Sequence, residues 1–165
     1  MAHKFLFTIM TFMLSFVSTM QVSAQRQYLH EGWSFGQARL ANRYPAQVPG
    51  VVHTDLLRLG LIDDPYIGLN ERKVQWVDKE DWVYETTFRQ TDAIAGQGHI
   101  DLCFDGLDTY ADVYLNDSLV LRTDNMFRRW RVDVTALLNS VWRQPMVVVS
   151  SQRRLTSLCV RSLCL

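Results

Sequence analysis

The stretch that most constrains the fold is "WVYETTF", residues 82–88. Successive side chains on an extended strand point to opposite faces. Trp82, Tyr84, Thr86 and Phe88 therefore fall on one side, and Val83, Glu85 and Thr87 on the other. The same two-residue period recurs with Ile100, Leu102 and Phe104 in "HIDLCF", with Ala111, Val113 and Leu115 in "ADVYL", and with Trp130, Val132 and Val134 in "RWRVDV". Turn formers separate these runs: "AGQG" at 95–98, "DGLD" at 105–108, "ND" at 116–117 and "TDN" at 123–125. Strands at intervals of about 8–12 residues predict an antiparallel sandwich or barrel, an all-β fold. One helix interrupts them. In "VVHTDLLRLG", Val52, Leu56 and Leu59 recur at i, i+4 and i+7, and Gly60 stands where a helix ends.

The chain begins with Lys4 as the only charge before Arg26, an apolar run from Phe5 to Val17, and "VSA" at 22–24. These are the marks of a secretory signal peptide cleaved after Ala24. The expected location is the periplasm or the extracellular space, with no stable membrane association after cleavage. The remaining residues suffice for one domain with its own core. Cys103 stands alone in the body and is expected simply to pack, while Cys159 and Cys164 lie in the last seven residues. The four histidines, at 3, 30, 53 and 99, lack metal-ligand spacing, and neither a metal nor a cofactor is expected.

The zero formal charge conceals a break. Residues 25–140 hold all seventeen acids and twelve basic residues, a net of −5, whereas 141–165 hold four arginines, no acid and no glycine. An acidic body opposes nucleic-acid binding, so the arginines of "FRRWR" (127–131) are expected to be solvated on a strand face.

"DLCFDGLDTYADVYLND" (101–117) is rich in carboxylates, but its pattern is strand, turn, strand, turn. Asp101 alternates with inward residues, Asp105 and Asp108 suit a turn, and Asn116-Asp117 suits a hairpin. Retaining glycoside hydrolysis needs two carboxyl groups about 5–5.5 Å apart. Asp63-Asp64, Glu80-Asp81 and Asp105/Asp108 are the pairs to consider, but neighbours on a strand face opposite ways. His53 and Asp55 would need a hydroxyl partner to form a triad, and no GxSxG elbow occurs. Trp76, Trp82, Tyr66 and Tyr110 are candidates for stacking on sugar rings, against the alternative that they fill the core.

The order of three segments is more specific than any one of them: "VPGVVHTDLLRLGLIDDPYIGLNERKVQWVDKEDWVYETTF", "FDGLDTYADVYLND" and "TDNMFRRWRVDVT". Together, from about Trp33 to Leu138, they resemble the N-terminal sugar-binding domain of the β-mannosidases of glycoside hydrolase family 2. The resemblance implies a jelly-roll, galactose-binding-like β-sandwich placed ahead of an immunoglobulin-like domain and a catalytic barrel. It also implies a retaining enzyme that removes terminal β-D-mannose in carbohydrate metabolism. Both catalytic glutamates of the family belong to the barrel, so no catalytic residue is assigned here and the fragment is expected to be inactive. Asn70 and Trp76 are the substrate-binding candidates, on a loop that the resemblance places at the rim of the pocket. The partner is then a β-mannoside, met through the parent enzyme. The alternative is a stand-alone carbohydrate-binding module.

Past "VDVTALL" the resemblance is lost. A one-base change of reading frame near Ser140 would account for the loss of acids and glycines at the same place, the alternative being a genuine basic, partner-binding appendage. The body is thus read as a partial sandwich over 25–140, incomplete at its C-terminus, and 141–165 as a non-native or disordered tail. Missing strands would leave an open sheet edge.

Overall fold

A computed structural model describes residues 25–107, 109–138 and 144–150, and the backbone of 159–160 and 163–164. The signal-peptide expectation falls on residues 1–24, outside the described residues, as does Asp108. The strands are β1 (Ser34–Gln37), β2 (Tyr44–Pro45), β3 (Gly50–Val51), β4 (Trp82–Phe88), β5 (Asp101–Phe104), β6 (Ala111–Leu115), β7 (Ser118–Arg122), β8 (Trp130–Asp133), β9 (Gln144–Ser150), β10 (Cys159–Val160) and β11 (Leu163–Cys164). The helices are α1 (Val52–Arg58) and α2 (Asn70–Val74), followed by a 3₁₀ turn at Val77–Lys79.

Six strands form one sheet in the order β2-β1-β4-β9-β6-β7, three form a second as β11-β5-β8, and β10 pairs with β3. Every pairing is antiparallel. The all-β architecture follows from the alternation in the sequence. Trp82, Tyr84, Thr86 and Phe88 are all buried on β4, and β5 and β6 bury the residues their period selects. Val83 is buried as well, so β4 carries apolar contact on both faces at its start. β8 lies at a sheet edge and only half-buries Trp130 and Val132. Leu102 and Phe104 from the smaller sheet join Phe35, Tyr84, Val113, Met146 and Val148 from the larger one in a single core cluster. That is the two-layer arrangement of a β-sandwich. Phe35 packs on Trp82 and Tyr84 at ring-centroid distances of 5.8 and 5.5 Å.

α1 ends as expected. Gly60 takes φ +69°, its N–H donates to Leu57 O at 2.9 Å, and Leu61 N–H donates to Leu56 O at 2.9 Å. This is the Schellman pairing, which requires a left-handed residue that glycine adopts without steric cost. The β6–β7 hairpin turns on Asn116 (φ 49°) and Asp117 (φ 62°), the left-handed pair that matches strand twist in a two-residue loop.

Residues 144–150 differ from the expectation for the tail. β9 lies in the middle of the larger sheet, paired with β4 from Trp82↔Ser150 to Phe88↔Gln144 and with β6 from Ala111↔Ser150 to Leu115↔Met146. Gln144, Met146, Val148 and Ser150 are buried, while the residues between them are not. The compositional break at Val141 therefore does not coincide with the end of the sheet. On its less buried face β9 carries Pro145, Val147 and Val149, where the interior strands β4, β5 and β6 carry Glu85, Asp101 and Asp112, so its composition departs from theirs without any change of burial pattern.

Candidate functional site

Within the 101–117 stretch, Asp101, Asp105 and Asp112 are engaged locally at the surface. Asp105 pairs with Arg129 (3.3 Å), Asp112 with Arg122 (3.2 Å), and Asp101 with His99 (3.2 Å) and Arg131 (3.5 Å). The Asn116 amide donates to Leu137 O and Gln144 Oε1, both at 2.6 Å. Among the other pairs, Asp63 meets Lys73 (3.1 Å), Asp64 accepts the Tyr66 N–H (2.9 Å), and Glu80 meets Arg39 (2.8 Å). Each of these acids is occupied in holding a turn or a strand end.

Asp133 shows the local character of these contacts. It accepts the Thr135 hydroxyl at 2.6 Å and the Thr135 N–H at 2.9 Å, and His99 Nδ1 lies 3.5 Å away. The Thr135 hydroxyl first, then its N–H, and lastly the charge of His99 hold the Asp133 carboxyl below its ordinary value of 3.8, against a small opposing effect of burial. A depressed pKa contributes stability above the unfolded-state value, and that contribution is lost as pH falls through the folded value. Thr135→Val is therefore expected to move the Asp133 titration up toward 3.8. Carboxyl-carbon NMR titration reads this directly, and an unchanged midpoint would remove the hydroxyl as the main cause.

His53 and Asp55 do not form a catalytic pair. On α1 the Asp55 side chain points inward, and its residue is 1% exposed. Its Oδ1 accepts from Gln47 N–H (3.0 Å) and Arg58 Nη2 (2.8 Å), and its Oδ2 from the Tyr84 hydroxyl (3.1 Å). His53 faces the other way, with Nε2 3.8 Å from Asp78 Oδ1.

That orientation opens a cleft of ≈ 580 Å³ between the two helices. His53, Thr54 and Leu57 line it from α1, and Glu71 and Val74 from α2 with Gln75, the residue that caps its end. In each trio the first and last residues are one turn apart on a common helical face. Pro65 and Tyr66 add a further wall, and His53 approaches Asp78 across the cleft. The Tyr66 ring is 97% exposed.

Of the sequence-derived candidates, His53 and Tyr66 line this cleft, whereas Asn70 and Trp76 do not. Asn70 is the first residue of α2, and its Nδ2 donates to Asp64 O at 3.1 Å, bracing the 64–70 loop. Trp76 is 36% exposed and packs against Trp82 at 6.1 Å. Trp82 is not available for stacking on a sugar. It is 2% exposed and its Nε1 donates to Val77 O at 2.9 Å. Sequence reading missed Glu71, Gln75 and Asp78. Their i, i+4 spacing on one face of α2 was visible for the first two, but nothing local brings Asp78 to His53.

With the fold in place, the comparison with known proteins is direct. Residues 33–157 match the glycosyl hydrolase 2 galactose-binding domain-like family. The chain belongs to this family. Beta-mannosidase B of Emericella nidulans is 45% identical over 115 residues, 67% of this chain and 14% of that protein. Beta-mannosidase B of Aspergillus oryzae is 44% identical over 124 residues, 72% of this chain and 15% of that protein. The β-D-mannosidase of Dictyoglomus thermophilum superposes with a TM-score of 0.75 at 37% identity, covering 79% of this chain and 16% of that one. The exo-chitosanase CsxA of Amycolatopsis orientalis, at 18% identity and a TM-score of 0.71 over 86% of this chain and 20% of that one, shares the fold. The chain thus spans about one seventh of the length of the curated β-mannosidases it matches. It is a glycoside hydrolase family 2 galactose-binding-like domain, similar to the N-terminal part of β-mannosidases.

Proposed function

We propose that this chain is the N-terminal piece of an exported β-mannosidase, a retaining hydrolase that removes terminal β-D-mannose, and that the piece alone is inactive. The observation that carries the reading is 37–45% identity to β-mannosidases confined to this one domain. Retention calls for two carboxyl groups about 5–5.5 Å apart across the scissile bond. Asp63, Asp64, Glu80 and Asp105 are instead tied to arginines, a lysine and a backbone N–H. Leu61, Ile67 and Leu69 stand exposed on the loop ahead of α2. An apolar surface of this kind is what a contact with further protein would cover. Asn70 and Trp76 sit beside that loop, consistent with a place at the rim of the parent's pocket.

The family match runs to residue 157 whereas the compositional break falls near Ser140, so the coding frame from Ser140 onward decides how far this domain continues. The test is to sequence the genomic DNA downstream of that codon and to assay both products on an aryl β-D-mannoside. A one-base lesion followed by a frame encoding a barrel, with mannose released as the β-anomer by the restored enzyme and none by this chain, is the expected result. Turnover by the chain alone, or a restored enzyme that ignores β-mannosides, would overturn the reading.

A further inference from the structure

The smaller sheet brings two cysteines to one register position. β11 lies at its edge, antiparallel to β5, with Leu163 opposite Phe104 and Cys164 opposite Cys103. Residues directly opposite one another on antiparallel strands stand about 4.5–5.5 Å apart at Cα and carry their Cβ atoms on one face. A disulfide spans about 4.4–6.8 Å between Cα atoms, so this register meets the backbone requirement of the bond. Cys103 is on the accessible side of β5. It is half-buried, whereas Leu102 and Phe104 on either side of it fall in the core. Its thiol is free and makes only a long contact, 3.8 Å, to Asp101 O. The third cysteine of the chain, Cys159, is placed elsewhere, on β10 opposite Val51. β11 is two residues long, and a covalent tie adds what so short a pairing lacks.

We infer that Cys103 and Cys164 are a cross-strand disulfide pair, a redox-controlled fastener that ties β11 to β5 when the chain meets an oxidising disulfide. The Cys103 thiolate attacks one sulfur of a small disulfide such as oxidised glutathione, which forms a mixed disulfide and releases one thiolate. The Cys164 thiolate then attacks the Cys103 sulfur and expels the second. The protein gains one S–S bond and gives up two electrons, the S–S bond of the reagent is reduced, and the two thiol protons pass to the two released thiolates. Oxidising disulfides are met outside the cytosol, in agreement with the proposed export, yet the bond requires no β-mannosidase activity.

The test starts from the reduced full chain, incubated with oxidised glutathione at neutral pH, then denatured, alkylated and mapped by mass spectrometry without reductant. Alkylatable thiols are expected to fall from three to one, with the Cys103 peptide linked to the Cys164 peptide and Cys159 alkylated. Cys164→Ser should leave Cys103 and Cys159 unlinked to each other, and Cys159→Ser should leave the bridge intact. The same oxidation in urea is expected to scramble the three cysteines, which separates a bridge chosen by the register from one chosen by chance. The oxidised chain should also unfold at a higher urea concentration than the reduced one, because closing a long loop constrains the unfolded chain, and Cys164→Ser should abolish that shift. Three free thiols after oxidation, a bridge that includes Cys159, a bond between two copies, or an equal yield of the same bridge in urea would each overturn the inference. None of these outcomes bears on the aryl mannoside assay, so the two readings fail separately.

Discussion

Val148→Asn is expected to cost about 4 kcal/mol or more, and Val147→Asn, one residue away, about 1 kcal/mol. Val148 lies opposite Tyr84 on β4 and Val113 on β6, and all three are buried. The substitution forfeits about 1.5–3 kcal/mol of valine burial. It also places an unpaired amide in the core, which adds about 1–3 kcal/mol. Set against a usual total of about 5–15 kcal/mol, this leaves a marginal or unfolded domain. Val147 lies opposite Glu85 and Tyr114 on the other face, where its neighbours are only half-buried and water reaches the new amide. Urea unfolding followed by tryptophan fluorescence separates the two variants. Equal effects would mean that residues 144–150 do not occupy β9 in solution.

The contrast between these valines also shows what was legible beforehand. β4, β5 and β6 announce themselves because their two faces differ in polarity, so the period of two stands out. "QPMVVVS" has Val147 and Val149 on its less buried face as well as Val148 on the buried one, so burial alternates but polarity does not, and the period of two is hidden. Its lack of acids and glycines then reads as foreign composition. The α1 stripe was legible only in part. Val52, Leu56 and Leu59 were assigned inward, yet Asp55 at i+3 falls on the same stripe, and that position was the available clue to its burial. The family came through on the order of three segments, whereas the cleft did not. His53 and Asp78 meet only because the 64–78 segment folds back over α1, a tertiary event without local spacing.

Asp55→Ala carries the second large effect, about 3 kcal/mol of stability. Its carboxylate ties α1, where it also meets Arg58, to Gln47 ahead of β3 and to Tyr84 in the distant core strand β4. Removing it takes one acceptor from the buried Tyr84 hydroxyl, at about 1–3 kcal/mol, and the partner of Gln47 N–H, whose exposed residue regains water, and it empties a carboxylate's space in the core. Arg58 adds little, because its half-exposed guanidinium regains water and still reaches Pro45 O at 2.8 Å. Tyr84→Phe alone should cost only about 1 kcal/mol, since the carboxylate keeps its other two donors. The double variant should then cost less than the sum by about 1 kcal/mol or more, the coupling expected of groups in direct contact. Urea melts of the two single variants and the double variant complete the cycle, and strict additivity would dissolve the hub.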